Sequence, residues 1–188
     1  MLFYFHSAVV IYARTDAQAL TLAANYLKQV AAIRGDGAFL DAWDAGIINF
    51  DATSLYACMG LLAAFTTLRD SAYLETVRQF LTWFAGMQSD DGSWSIGYQV
   101  NPDDGPSYLP AVGPYAQQGI SEIKWVDAVQ CLPAFVLWWY WSLSSDSATR
   151  DALLPVFRKA IDGFIANNYD PETGFFFSSF RTMRRAAP

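Results

Sequence analysis

Two aspartates open apolar helical patterns at matching points of the chain, Asp51 in NFDATSLYA and Asp127 in KWVDAVQ. Cleaving a glycosidic bond takes two carboxyl groups flanking it: one protonated to assist departure, the other ionised to activate water or attack the sugar. A helix N-terminus favours the ionised form of a carboxylate, so both aspartates suit the base role or the acceptance of sugar hydroxyls. The plainer reading is that both merely cap their helices. A proton donor needs an apolar setting, and Glu122, close to Ile123 and Trp125, is the best-placed one; its plainer reading is a solvated loop acid. Asp41 and Asp44, set around Trp43, are similar, while Asp90 and Asp91 occupy a tight turn where Asp bonds its own backbone. Trp43, Trp94, Tyr98 and Trp125 are the aromatics available to stack on a sugar ring or to hold a carbocation.

Other chemistries lack their residues. The single histidine, His6, lies in an apolar stretch and reads as a packed or terminal side chain. No metal-ligand cluster, phosphate-binding Gly loop or Ser/His/Asp set is found, so no cofactor or metal is expected. Net charge is −6, which leaves no basic surface for a phosphate backbone and argues against nucleic acid. Cys58 and Cys131 fall in apolar helical stretches and read as inert thiols rather than a disulfide. The N-terminus has no basic region and no small-residue cleavage site, so no signal peptide is seen and a cytoplasmic location is expected. Ala128 to Ser145 is uncharged but interrupted by Gln130, Pro133 and several serines, which predicts a buried helix rather than a membrane span.

The elements that must position the acids are helical. With 188 residues and 53% apolar content the chain reads as a single domain over 1–188, able to bury a core. Residues Leu2 to Ala13 read as the last turns of an apolar helix. An amphipathic helix is predicted from Asp16 to Arg34, with Leu20, Ala23, Ala24, Leu27, Val30 and Ala31 on one face. The segment from Asp51 through LYACMGLLAAFTTL is apolar on nearly every side and should lie inside, ringed by other helices. Ala72 to Gln88 is amphipathic again. A long loop, Ser89 to Ser121, precedes a second apolar helix from Asp127 to about Leu143, opened by the capping-box pattern Asp127-Ala-Val-Gln130 and with Pro133 expected to bend it or delay its start. In its Trp138 to Trp141 run, core packing is favoured. A last helix is expected over Thr149 to Asn168, its first turn open to disruption by Pro155; no strand is required, although Phe175 to Phe180 could form a short one.

Three turns punctuate this pattern at equivalent points: RGDGAF (Arg34 to Phe39), QSDDGSW (Gln88 to Trp94) and YDPETGFF (Tyr169 to Phe176). Short links at Asp16, Asp70 and Asp146 run from inner to outer helices, and the long acidic and aromatic loops run from outer to inner. That is the pattern of a helical repeat whose inner helices point their N-termini at one loop-bearing face.

This layout, with WFAGMQSDDGSW, NFDATSLYA and KWVDAVQ as its local pieces, resembles the α/α toroid of the six-hairpin glycosidases. The resemblance implies an all-α fold, a toroid fragment of about two and a half helical hairpins incomplete at both ends. It also implies a carbohydrate-active enzyme, or a piece of one, acting on a saccharide by Asp/Glu acid–base chemistry. An open ring further implies an uncovered apolar seam, closed by self-association or by missing hairpins. Gln88-Ser-Asp-Asp-Gly92-Ser-Trp94 is also similar to the Q-x-x-x-G-x-W repeat of squalene-hopene and related terpene cyclases; Asn101-Pro-Asp103-Asp104 lacks the first acid of their D-x-D-D segment. The remaining alternative is a non-catalytic helical scaffold or truncated fragment.

Overall fold

A computed structural model of the chain describes residues 15–39, 47–101, 103–105, 107–177 and the backbone of 183–185. The apolar pattern at Leu2 to Ala13, His6, and the loop residues Asp41, Trp43 and Asp44 lie outside the described residues. The fold is all-α in class. Its helices are α1 (Asp16–Ala32), α2 (Thr53–Leu68), α3 (Ser71–Gly86), α4 (Asp127–Ser144) and α5 (Ser147–Asn168). Each helix packs on its neighbour in sequence, and α1 touches α3, α2 touches α4 and α3 touches α5. That pattern requires two rows, with α2 and α4 in one and α1, α3 and α5 in the other.

The short links repeat one device. Helices α2 and α4 end on left-handed residues, Arg69 at φ 58° and Ser145 at φ 59°. An aspartate then caps the next helix: Asp70 Oδ1 accepts from Ala72 N at 3.0 Å and Asp146 Oδ1 from Thr149 N at 3.0 Å. The first outer helix is capped by Thr15, which forms a reciprocal box with Gln18.

The turns after α1 and α3 also match atom for atom. Asp36 Oδ1 accepts from Ala38 N at 3.0 Å, and Asp91 Oδ1 from Ser93 N at 2.9 Å. The glycine between is left-handed in both, φ 96° at Gly37 and 91° at Gly92. Each turn rests on the next helix of the same row, so that a Cβ on Gly37 would lie 2.6 Å from Gln79 O and one on Gly92 3.0 Å from Lys159 Cγ. The aromatic that follows, Phe39 or Trp94, is driven into the core against α3, Phe39 edge-on to Phe80 and Trp94 stacked on Phe84 with ring centroids 4.7 Å apart.

Three expectations need correction. The long loops contain strands: β1 (Ile47–Ile48), β2 (Tyr98–Val100) and β3 (Tyr108–Pro110) form an antiparallel sheet, and β4 (Ile120–Ile123) pairs with β7 (Met183–Arg185). The pair β5 (Tyr169–Asp170) and β6 (Phe175–Phe176) accounts for the part of the expected Phe175 to Phe180 strand that lies in the described residues. Secondly, Pro133 does not delay α4, which begins at Asp127, and Pro155 does not break the start of α5, which runs through it from Ser147. Thirdly, α2 and α4 are not ringed. Each leaves one stripe exposed, Tyr56, Gly60, Ala63 and Thr67 on α2, and Asp127, Phe135, Trp138 and Ser142 on α4. Within the Trp138 to Trp141 run only Tyr140 is buried, with its hydroxyl donating to Asp146 Oδ2 at 2.8 Å, whereas Trp138 is 55% exposed. Among the described residues no helix is long and apolar enough to cross a membrane.

Candidate functional site

The ends of α2 and α4 that carry Asp51 and Asp127 lie on one face. Asp51 N donates to Ile96 O at 2.9 Å, and Ile96 N donates to Ile123 O at 2.9 Å, so the two helix starts are laced together through the loop between them. A bridge between Ser95 and Lys124 adds to the lacing. Both aspartates are exposed.

Their local geometry departs from capping. Asp51 sits in a short 3-10 turn, Phe50–Ala52, at φ 48° and ψ 45°, and Ala52 follows at φ 65° and is the residue that precedes α2. The Asp51 carboxylate makes no hydrogen bond or ion pair among the described residues. Capping of α2 falls to Asn49, whose Oδ1 accepts from Leu55 N at 3.3 Å while its own N–H donates to Ser54 Oγ at 3.1 Å. Left-handed backbone at non-glycine residues costs roughly 1–2 kcal/mol each, and Asn49, Asp51 and Ala52 all adopt it. Asp127 is the first residue of α4 rather than its cap; Val126 precedes it, and Asp127 Oδ1 accepts only from the adjacent Ala128 N at 2.7 Å. The expected capping box with Gln130 is absent because Gln130 is committed to Trp94.

Glu122 stands in different surroundings from those expected. It lies on β4 with Oε1 3.2 Å from Lys124 Nζ, and the same ammonium lies 3.3 Å from Asp91 Oδ2. The neighbour of Glu122 is thus a cation rather than the apolar surroundings expected around Ile123 and Trp125. Burial by itself would raise the Asp91 carboxyl, but the bonds from Ser93 Oγ and N together with Lys124 outweigh it and hold it below the usual range. Asp91 thus ties its turn together. Asp36, its counterpart, accepts from Tyr108 Oη and pairs with Arg34, and burial plus this carboxylate push the Tyr108 hydroxyl up to about 12.

The expected sugar-stacking rings are in the core. Trp94 is fully buried, with its indole N–H donating to Phe84 O at 2.8 Å. Tyr98 is 5% exposed; its hydroxyl donates to Met87 O and accepts from Ser95 N, each at 3.1 Å, and burial pushes it well above its usual range. Trp125 is buried against Gly163, where an added Cβ would lie 2.4 Å from the ring. None of the three offers a face to a ligand. Gln88, Gly92 and Trp94 therefore act as scaffold, Gln88 Nε2 donating to Gly92 O at 3.0 Å and to Val156 O at 2.8 Å.

Aromatics that sequence reasoning passed over are the exposed ones. Tyr56 lies about one turn inside Asp51 on α2, and Phe135 and Trp138 share the exposed stripe of α4 with Asp127. Their signal is the i, i+4, i+7 spacing from Cys131 through Phe135 to Trp138, hidden because the surrounding positions are equally apolar. Cys131 is half-buried on this stripe, and burial together with Asp127 raises its thiol; Cys58 is buried, and both thiols are free.

The loop face also holds a cleft of about 710 Å³ between the β1–β2–β3 sheet and a 3-10 turn, Gly113–Gln118. Phe50, the neighbour of Asp51, lines it. Among the described residues no three His, Cys, Asp or Glu side chains converge to hold a metal. Comparison with protein-family models, with curated proteins and with solved structures returns no match.

Proposed function

We propose that the chain is a saccharide-acting enzyme of the α/α-toroid kind, or a piece of one, with Asp51 and Asp127 as its carboxyl pair. One observation carries this reading: both carboxylates are exposed at the starts of two adjacent parallel helices on the loop-bearing face, and neither caps its helix. Asp127, beside the free N–H groups of α4, takes the base role, and Asp51, exposed on the same face and held outside the helix by left-handed backbone, accepts a sugar hydroxyl at the reacting residue. Tyr56, one turn below Asp51, is the ring best placed to pack on a sugar.

The test is release of reducing ends from a panel of oligosaccharides by the wild-type chain and by Asp51→Asn and Asp127→Asn. Each variant is expected to lose about 10²–10⁴-fold in kcat with unchanged circular dichroism. Wild-type turnover in both variants would remove the pair from the chemistry.

The exposed apolar stripe of α4 favours one further element, association with a second copy that covers Phe135 and Trp138, which are 43% and 55% exposed. Light scattering is expected to find an oligomer that Phe135→Ser/Trp138→Ser converts to a monomer. A monomeric wild type would dismiss it.

A further inference from the structure

We infer that the turn after α5 seats on α1 of a second copy of this chain, with Gly174 of each copy against Tyr26 of the other. The inference deepens the second-copy association proposed above and is independent of the saccharide reading.

The outer helices repeat in phase. Val77, Phe80 and Phe84 form the buried line of α3, and Phe157, Ala160 and Phe164, spaced alike, that of α5. Two residues past the first of each line come Gln79 and Lys159, and these carry the preceding turns. Gly37 rests on Gln79, and Gly92 on Lys159, whose Nζ also donates to Asp90 O at 2.8 Å. On α1 the line is Ala24, Leu27 and Ala31, which puts exposed Tyr26 at the same point. Both turns seated within the chain lie on the other two outer helices.

The turn after α5 is the reciprocal half. Asp170 Oδ1 accepts from Glu172 N at 3.0 Å, and Gly174 is left-handed at φ 73°. Phe176 then stacks on Phe164 with centroids 5.6 Å apart, as Trp94 stacks on Phe84 at the equivalent point of α3. There the likeness stops. Trp94 is fully buried with its edge toward Phe157 of the next outer helix, whereas Phe175 and Phe176 are 75% and 52% exposed. No atom of the described residues lies within 4 Å of a Cβ placed on Gly174. Leu154 and Ile165 of α5 are likewise exposed, while Leu74 and Ala85, in phase with them on α3, are half-buried against the core.

A turn without its helix and a helix without its turn, carried by one chain, are complementary, so a second copy supplies both. Filling the seat removes the phenylalanine rings from water. Charge agrees: the turn carries Asp170 and Glu172, and α1 carries Lys28 and no acid after Asp16. Two such contacts about a two-fold axis close a pair, with the α4 stripes enclosed between the copies.

Cross-linking of the full chain reads the inference directly. Tyr26→Cys and Thr173→Cys, both exposed positions, are each made in a Cys131→Ser background, where the remaining Cys58 is buried. A short bismaleimide is expected to give a covalent dimer from an equal mixture of the two, and no more than about a tenth as much from either alone. Tyr26→Asp, which sets a like charge against Asp170 and Glu172, should weaken association in sedimentation about ten-fold or more with unchanged circular dichroism, and Tyr26→Phe should retain it. Absence of the mixed cross-link, an equal yield from one variant alone, or full association of a folded Tyr26→Asp overturns the inference; an oligomer that Phe135→Ser/Trp138→Ser still breaks would leave the association proposed above standing. A monomeric wild type overturns both.

Discussion

Gln130 and the main chain of Trp94 exchange two hydrogen bonds, Trp94 N to Gln130 Oε1 at 3.2 Å and Gln130 Nε2 to Trp94 O at 3.0 Å. Both residues are completely buried. A side chain on α4 thus supplies the strand-like partner that the loop after α3 lacks, and the turn, the loop and the second inner helix become one unit.

Replacing Gln130 by Leu leaves the N–H and C=O of Trp94 buried without partners. Each such group costs about 1–3 kcal/mol, so Gln130→Leu is expected to destabilise the fold by about 2–5 kcal/mol. Urea unfolding followed by tryptophan fluorescence measures it. A loss under about 0.5 kcal/mol would mean that water reaches the turn.

Ser145 closes α4 at φ 59°, a conformation in which glycine has no steric cost. Relief of about 1–2 kcal/mol of strain, less the added freedom of glycine when unfolded, predicts that Ser145→Gly raises stability by about 0.5–1 kcal/mol. Arg69→Gly at the matching end of α2 should gain less, because Arg69 also lies over the Phe65 ring. Melting curves of the two variants rank them.

Asp146 receives Thr149 Oγ1 at 2.6 Å, Thr149 N at 3.0 Å and Tyr140 Oη at 2.8 Å. The Thr149 hydroxyl, then its N–H, then Tyr140 hold this carboxyl down at about 2. A folded-state value below the unfolded one contributes stability that is complete above the ordinary carboxylate range and is lost as pH falls toward 2. Urea midpoints are expected to drop between about pH 4 and pH 2, with a shallower drop in Asp146→Asn. The residual slope belongs to Asp36, Glu75 and Asp91, which are also held low.

Much of the arrangement was legible in local chemistry. The amphipathic face of α3, the aspartates at the short links and the acid-Gly turns are short-range features, set by helix periodicity, capping and left-handed φ. They foretold helices within a few residues, the alternation of short links and long loops, and the placement of Asp51 and Asp127 on one face. The exposed stripes of α2 and α4 were not legible, because a helix that is apolar all round carries no mark of which side meets its neighbours. Phe135 and Trp138 read like core residues for that reason.

What the amino-acid order determined by itself, then, is the alternation of helices: where each starts and stops to within a few residues, and how the acid-Gly turns after α1 and α3 are made. Tertiary structure alone decided which acids and rings are free. Asn49 took over the cap expected of Asp51, Lys124 engaged Glu122, and the repeat's own packing drew Trp94, Tyr98 and Trp125 inward. Those outcomes depend on partners tens of residues away in sequence, and such pairings leave no local periodic trace.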